Sequence, residues 1–251
     1  MNSLGVWLRS LFLLLALVVS ALSFSLSYLI LLLVLPRKFL WRYWVRPWAW
    51  WCLRVAGQKV KIEGNYPDQK NGPYLYLLNH ESLFDALLMG YTLKDRATGL
   101  CAKNYFYLPI WGWMMWLHGV IPVERNNHLK AIGSVSEAEK AVARGESIVV
   151  CPEGRRSDNG EVQEFKSGAA HLAKNTKVTI VPCVVRGTFQ SWNRNSWLIS
   201  PNIITLRFLE PLPYAVYIKE YERSGIAGIT NLVKAKIVAG KAGLSNKPGD
   251  G

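Results

Sequence analysis

The chain has 251 residues, a length that favours one domain or one domain with an attachment. Half of the residues are hydrophobic and only 19% are charged, which excludes a disordered chain and argues against an ordinary soluble enzyme of this size. Lys and Arg number 30 against 17 Asp and Glu, so the net charge is +13 and anionic partners are favoured. The four cysteines form no CxxC pair, so neither a zinc ribbon nor a thioredoxin-type site is expected, and we expect reduced cysteines.

The first predicted element is an apolar segment long enough to cross a membrane. Residues 10–36 contain no charged side chain, and residues 11–35 are dominated by Leu, Val, Ile and Phe. A spanning helix needs about 20 such residues, whereas the apolar core of a cleaved signal peptide has roughly 7–15. Residues 1–58 are therefore predicted to be a membrane anchor. Two geometries remain open: one tilted spanning helix, or two shorter helices in one leaflet, broken near Ser20–Ser27, with Trp41–Arg54 as the second.

The segment after the apolar stretch is basic and aromatic. Between Arg37 and Ile62 there is no acidic residue, but there are seven bases and five tryptophans: Arg37, Lys38, Arg42, Arg46, Arg54, Lys59, Lys61, Trp41, Trp44, Trp48, Trp50 and Trp51. Such residues are typical of the membrane headgroup region, and the positive-inside rule places the rest of the chain on the cytoplasmic side. A nucleic-acid interface is the weaker interpretation, because the aromatics lie beside a membrane segment and match no nucleic-acid motif.

Residues 59–244 alternate short apolar runs with longer helical patterns. Strands are predicted at Val60–Glu63, Tyr74–Leu78, Gly99–Ala102, Val120–Val123, Ile148–Cys151, Thr179–Val185 and Ile203–Phe208. Helices are predicted near Leu83–Leu93, Ile110–Leu117, Ile132–Arg144, Gly168–Asn175 and Glu220–Ala239. This alternation predicts an α/β domain with a largely parallel central sheet flanked by helices. Residues 245–251 are rich in Gly and Pro, and we expect a flexible tail there.

The first polar motif follows the strand Tyr74–Leu78. His80 and Asp85 are five residues apart, so on a continuous helix they would face about 140° apart, and they can meet only at a strand-to-helix turn. Ser82-x-x-Asp85 resembles a capping box that starts a helix near Leu83, with the Asp85 carboxylate reaching back toward His80. Such a carboxylate holds one imidazole nitrogen and leaves the other free as a base. The alternative is a plain helix cap beside a loop histidine.

Three further motifs lie at predicted strands. Glu124 and Arg125 follow one strand, and the run Cys151-Pro-Glu-Gly-Arg-Arg-Ser157 follows another, with Pro and Gly setting a fixed turn. In open α/β sheets, ligands bind outside the carboxyl ends of the strands. The last motif is the strand 180–184 with an internal proline, for which packing or an edge strand is an equal interpretation. Taken singly, the arginines are also compatible with surface bases.

Together and in this order, the motifs resemble those of the glycerolipid acyltransferases, most closely the bacterial 1-acyl-sn-glycerol-3-phosphate acyltransferases. The resemblance rests on His80-x4-Asp85, then Arg125, then Pro152-Glu153-Gly154-x-Arg156, then the Val-Pro strand, behind a hydrophobic N-terminus. It covers about residues 74–187 and includes Ala102-Lys103 and residues 165–168. Two departures stand out: Cys151 replaces an aromatic residue common at that position, and Arg155 replaces the usual Thr.

The resemblance implies acyl transfer from a thioester, acyl-CoA or acyl carrier protein, to the sn-2 hydroxyl of 1-acyl-sn-glycerol 3-phosphate (lysophosphatidic acid), giving phosphatidic acid. His80 would be the general base and Asp85 its orienting group. The implied substrate-binding residues are Lys103, Arg125, Glu153, Gly154, Arg155, Arg156 and Lys166. Among these, Arg125 and Arg156 would bind the phosphate, and Glu153 would hold the glycerol portion or brace Arg125.

No metal or cofactor is implied. The expected location is the bacterial inner membrane, with residues 59–244 forming a catalytic domain on the cytoplasmic side and a phospholipid membrane, but no nucleic acid, as a partner. Three alternatives remain open: a different lysophospholipid or lyso-aminolipid acceptor, lipid binding without turnover, and hydrolysis by water that His80 activates. The sequence shows no GxSxG elbow and no Cys–His signature, so it suggests no covalent acyl-enzyme.

Overall fold

A computed structural model describes residues 3–124 and 128–244, apart from the side chains of residues 3, 69 and 128–132. The strands are β1 (Lys59–Glu63), β2 (Tyr74–Leu78), β3 (Ala97–Ala102), β4 (Ile121–Val123), β5 (Ser147–Val150), β6 (Thr179–Arg186) and β7 (Ile203–Phe208). They form one sheet in the order β1-β7-β6-β2-β5-β3-β4. Every neighbouring pair is parallel except β6 and β7, which are antiparallel. The predicted, largely parallel α/β sheet is confirmed.

Helices cover both faces of the sheet. They are α1 (Ser3–Leu31), α2 (Arg37–Leu40), α3 (Arg46–Val55), α4 (Phe84–Thr92), α5 (Trp111–His118), α6 (His128–Ala143), α7 (Gly168–Thr176), α8 (Thr188–Ser191) and α9 (Tyr214–Ala242). Successive side chains of a strand point to opposite faces. Leu75 and Leu77 of β2 accordingly pack in one hydrophobic cluster, and Tyr76 and Leu78 pack in the other. Burial on both faces explains why the central strands are continuous apolar runs.

The N-terminal residues form a long helix followed by a shorter helical segment. Helix α1 continues unbroken through Ser20–Ser27, where one of the two predicted geometries has a break, and the chain turns only after Leu31. The hydroxyls of Ser25 and Ser27 donate to carbonyls one turn earlier in the same helix, so these side chains are satisfied without breaking it. After the turn, α2, a π-helical turn at Trp41–Val45 and α3 follow one another without a gap.

Helix α1 is both apolar and attached to the sheet domain. Residues Leu4–Leu31 are long and apolar enough to cross a membrane, by length and composition. Phe12 is 69% exposed and Val19 62%, unlike the side chains of a core helix. The opposite side packs on the domain, where Leu13 is buried and the hydroxyl of Ser10 accepts the backbone N–H of Ile199. The predicted anchor therefore packs directly against residues 59–244, and the predicted tail, 245–251, lies outside the described residues.

Candidate active site

The turn between β2 and α4 brings His80 and Asp85 into contact. Helix α4 begins at Phe84, one residue later than predicted, and Asp85 lies in its first turn. Asp85 Oδ2 lies 2.7 Å from His80 Nδ1 and accepts the backbone N–H groups of Glu81 and Ser82 at 2.7 and 2.9 Å. The carboxylate thus reaches back over the turn, as the capping-box pattern predicts. Nδ1–H of His80 donates to it, which leaves Nε2 as the ring's basic nitrogen.

The Asp85 carboxylate is buried and fully paired. Its side chain is 1% exposed, and its other oxygen, Oδ1, accepts the hydroxyl proton of Thr188 at 2.7 Å. A carboxylate held from both sides has a fixed orientation, and it fixes the ring that donates to it. The His80 side chain itself is 17% exposed, so part of the ring reaches the surface where a substrate could meet it.

The side chain of Cys151 lies beside the His80 ring and interacts with it. Strand β5 lies beside β2 with Val150 paired to Leu77, so Cys151, which directly follows β5, lies at the same sheet edge as His80. Burial lowers the pKa of His80, but the charge interaction with Cys151 and the hydrogen bond that the ring donates to Asp85 outweigh this effect, and the pKa rises above its usual 6.5. The spacing along the chain does not predict this contact, because only the strand order places β5 next to β2.

The loop after β5 is bonded to the backbone of His80. Oε1 of the buried Glu153 accepts the His80 backbone N–H at 2.9 Å, and Oε2 accepts that of Gln163 at 3.1 Å. The N–H of Ser157 donates to the carbonyl of His80 at 2.7 Å. Burial raises the pKa of Glu153, and the two N–H donors oppose the rise. Glu153 therefore positions the backbone that carries His80. The sequence leads us to expect Glu153 to hold the glycerol portion or to brace Arg125, and it does not predict this contact.

Gly154 and Lys166 lie against each other in this loop. Gly154 has φ of +73°, in the left-handed region that favours glycine, and a Cβ added there would lie 3.0 Å from Cε of Lys166. The backbone N–H of Lys166 donates to the carbonyl of Pro152 at 2.8 Å. The Lys166 side chain is exposed, so its ammonium group extends beside the loop that carries Arg155 and Arg156.

Three further predicted cations, Lys103, Arg155 and Arg156, lie along the same sheet edge and differ in their contacts. Arg155 is 58% exposed and pairs with Asp158 at 3.2 Å. Arg156 is half-buried, and in the described part of the chain its guanidinium has no ion-pair partner. Lys103 directly follows β3, and its Nζ lies 3.4 Å from a carboxylate oxygen of Glu124, which follows β4. Arg125 lies outside the described residues.

No metal centre is formed by the described residues: among residues 3–124 and 128–244, no group of three or more His, Cys, Asp or Glu side chains is placed to hold an ion. The site offers instead a buried acid–base pair and several cations. Both lie outside the carboxyl ends of parallel strands, where α/β sheets bind their ligands. Such an arrangement can deprotonate a hydroxyl group beside a bound anion.

The sequence and the fold of the chain are similar to those of known proteins. The sequence model of the Acyltransferase family matches residues 59–186, about half of the chain. A 1-acyl-sn-glycerol-3-phosphate acyltransferase from Cocos nucifera is 31% identical over 159 residues, 63% of this chain and 51% of that protein. Proteins of the same name from Haemophilus influenzae and Escherichia coli are 28% and 27% identical over 71% and 73% of this chain and 75% and 74% of their own length.

The chain spans about half the length of the plant relatives that it matches. The crystal structure of the 1-acyl-sn-glycerophosphate acyltransferase from Thermotoga maritima matches over 100% of both chains, with a TM-score of 0.83 and 19% identity. At that identity the likeness concerns the fold, and it includes the N-terminal helices as well as the sheet. With the match of the family model to residues 59–186, these findings show that the chain belongs to the Acyltransferase family.

Proposed function

We propose that this chain is a membrane-bound acyltransferase that acylates the sn-2 hydroxyl of 1-acyl-sn-glycerol 3-phosphate to give phosphatidic acid. The acyl donor is a thioester, acyl-CoA or acyl carrier protein. The observation that carries the proposal is the 2.7 Å contact between His80 Nδ1 and Asp85 Oδ2 at the carboxyl edge of an Acyltransferase-family sheet. The names of the relatives supply the acceptor, because they are 1-acyl-sn-glycerol-3-phosphate acyltransferases.

The proposed chemistry is direct transfer with His80 as the general base. Nε2 takes the proton of the acceptor hydroxyl while its oxygen attacks the thioester carbonyl, and Asp85 stabilises the imidazolium that forms. The tetrahedral intermediate then collapses, the C–S bond breaks, and the leaving thiolate receives the proton from His80. The products are the ester and the free thiol. The raised pKa of His80 makes the neutral ring a stronger base than free imidazole, and it also lowers the share of neutral ring near pH 7, so acyl transfer should become faster as the pH rises.

The acceptor's phosphate needs cations at a fixed distance from the base. Arg156 is the favoured phosphate ligand, because it follows Glu153 and Gly154 in the loop bonded to His80 and, within the described residues, its side chain forms no ion pair. Lys166 lies beside the same loop. Charge-assisted hydrogen bonds from such groups to a phosphate are shorter and stronger than neutral ones. Lys103, Arg125 and Arg155 complete the proposed set.

A lipid acceptor is most easily reached from the membrane. The exposed apolar face of α1 supports insertion, and the exposed aromatic side chains of Tyr43, Trp50 and Trp51 on the following helical segment suit the headgroup region. The excess of bases in residues 37–61 supports a cytoplasmic location of the catalytic domain, at the inner membrane of a bacterial cell.

The decisive experiment is an assay of the purified full-length chain in detergent with lysophosphatidic acid and either acyl-CoA or acylated carrier protein. Phosphatidic acid as the product supports the proposal, and omission of lysophosphatidic acid must abolish it. Free fatty acid would indicate a hydrolase, and binding without either product would indicate a lipid-binding protein. The same assay with other lysophospholipids and a lyso-aminolipid identifies the preferred acceptor.

A further inference from the structure

Glu81, the neighbour of His80, is buried and forms an ion pair with the last turn of α9. We propose that the Glu81–Lys241 pair is a positioning element for the acyl transfer proposed above, on which this inference rests. Lys241 joins the end of helix α9 to the turn that carries His80 and Asp85. Lys241 also neutralises the buried carboxylate of Glu81, so that the Asp85 carboxylate, which accepts the imidazole N–H, keeps its hydrogen-bond partners.

The contacts of the pair are short and protected from water. Lys241 Nζ lies 2.5 Å from Glu81 Oε1, and the two side chains are 14% and 3% exposed. The side-chain amide of Asn79 donates to the same oxygen at 3.2 Å, and the backbone N–H of Phe189 donates to Oε2 at 3.1 Å. Lys241 also donates to the carbonyl of Gly160. One carboxylate thus connects the end of β2, the start of α8 and the last turn of α9.

The network continues to Asp85 through two bonds. Thr188 Oγ1 lies 2.7 Å from Asp85 Oδ1 and 3.3 Å from Glu81 Oε2, so its single proton serves Asp85. The backbone N–H of Glu81 donates to Asp85 Oδ2 at 2.7 Å. A shift of Glu81 therefore moves its own backbone N–H, which donates to Asp85 on one side. It reaches Thr188, the donor on the other side, through the hydrogen bond from the adjacent Phe189 N–H to Glu81 Oε2. Because Asp85 orients His80, such a shift also reaches the base.

The charge of Lys241 is essential to this arrangement. Burial raises the pKa of Glu81, Lys241 opposes that rise, and the nearby Asp85 adds to it. Without Lys241, the chain holds two neighbouring buried carboxylates with one cationic partner fewer, and Glu81 must take a proton or repel Asp85. Helix α9 does not depend on Lys241 for its attachment, because Ile229, Val233 and Ile237 are buried in the core.

The test compares Lys241→Met with Lys234→Met in the full-length chain. Lys234 lies on the same helix and pairs with Glu164, whose side chain is 93% exposed, so it is a matched control outside the network. We expect Lys241→Met to lower kcat by about 10- to 100-fold, as is typical when a group that orients a functional side chain is lost, with both KM values little changed. Lys241→Arg should keep most of kcat. The double variant Glu81→Gln/Lys241→Met leaves no unpaired charge, so its kcat should be higher than that of Lys241→Met.

A second readout needs no turnover. The Nδ1 proton of His80, hydrogen-bonded to Asp85, should give a low-field NMR signal, assigned by its loss in His80→Gln. It should persist in Lys234→Met and Lys241→Arg and broaden or vanish in Lys241→Met. Absence of acyl transfer in the wild type would refute the proposed function and leave this readout intact. A folded Lys241→Met with wild-type kcat and an unchanged signal would overturn the inference.

Should Lys241→Met fail to fold, Lys241→Arg and the double variant decide the question. Retention of the His80 signal in both supports the inference, because both variants avoid an unpaired Glu81 carboxylate. Loss of the signal in either of them, with the fold intact by circular dichroism, overturns it.

Discussion

The catalytic turn (residues 79–85) and the basic rim (Lys103, Arg155, Arg156 and Lys166) lie at the same edge of the sheet but are built differently. In the catalytic turn the side chains of Asn79, Glu81 and Asp85 are buried, and each has two or more hydrogen-bond partners. In the rim, Lys103 and Arg155 are exposed; Lys103 forms an ion pair with the half-buried Glu124, and Arg155 forms one with the exposed Asp158. The difference agrees with the roles proposed above, in which one group keeps a fixed orientation and the others remain available to a ligand.

This difference has a physical cause. Buried hydrogen bonds to a charged group fix its geometry, and leaving one of them unmade is costly, so the buried turn has a single arrangement. An exposed ion pair contributes little, about 0–1 kcal/mol, and a phosphate dianion can displace it. Changes in the turn should therefore reduce turnover, whereas changes in the rim should weaken acceptor binding. Single variants in the two regions test that division.

The largest effect is expected for His80, the proposed base. His80→Ala removes the proton acceptor, and Asp85→Asn favours the wrong tautomer of the ring, so we expect kcat to fall by about 10²–10⁴ in each. Steady-state kinetics with lysophosphatidic acid and acyl-CoA measure kcat for each variant. As a control, each variant should still sediment with membranes, which shows that its anchor is unaffected. Near-normal turnover in His80→Ala would exclude His80 as the base.

Arg156→Ala should affect the acceptor instead. Loss of one charge-assisted contact to a dianion costs about 1.5–3 kcal/mol, or roughly 10–150-fold. The loss should appear as a raised KM for lysophosphatidic acid, with the KM for the acyl thioester little changed. Arg125→Ala should behave alike if that residue binds the phosphate too. Equal rises in both KM values would mean that these arginines maintain the fold, and the division between turn and rim would fail.

Cys151→Ala should change the pH dependence of the reaction. A general base must be neutral, so kcat/KM rises with pH through the pKa of His80, which lies above 6.5. Cys151 is one of the groups that raise this pKa, so its removal should lower it and move the rising limb to lower pH. Cys52→Ala, in α3, is the control and should leave the limb in place. If kcat/KM of Cys151→Ala rises at the same pH as in the wild type, or at a higher pH, then Cys151 does not raise the pKa of His80.

The smallest effect is expected for Arg155→Thr, which introduces the residue that the resemblance to glycerolipid acyltransferases leads us to expect at this position. Arg155 is exposed and pairs with the exposed Asp158, and such pairs contribute at most about 1 kcal/mol, or roughly fivefold. We expect the KM for lysophosphatidic acid to rise by less than in Arg156→Ala, and the melting temperature to stay unchanged. A KM as high as that of Arg156→Ala would make Arg155 a full phosphate ligand.

Local patterns predicted most of the architecture. All seven predicted strands are present with ends within two residues of the observed ones, because continuous apolar runs bounded by turn residues are buried on both faces of the sheet. The contact between His80 and Asp85 was also predictable, since a capping box and a strand-to-helix turn are properties of a few consecutive residues. The course of α1 could not be predicted in the same way, because the sequence left open whether the helix breaks near Ser20–Ser27. In the structure, serine hydroxyls there bond to carbonyls of the same helix, and the helix continues.

The seven strands, most of the helices, the basic and apolar character of the N-terminal segment and the local pairing of His80 with Asp85 could be predicted from the sequence; α8 was not predicted, and α9 begins six residues before the predicted Glu220. The distant groups that surround the His80–Asp85 pair could be identified only from the folded structure. Cys151 meets His80 because β5 lies beside β2, and Lys241 meets Glu81 because α9 returns across 160 residues of chain. Strand order and helix packing depend on contacts between residues far apart in sequence, and no spacing within a motif records them.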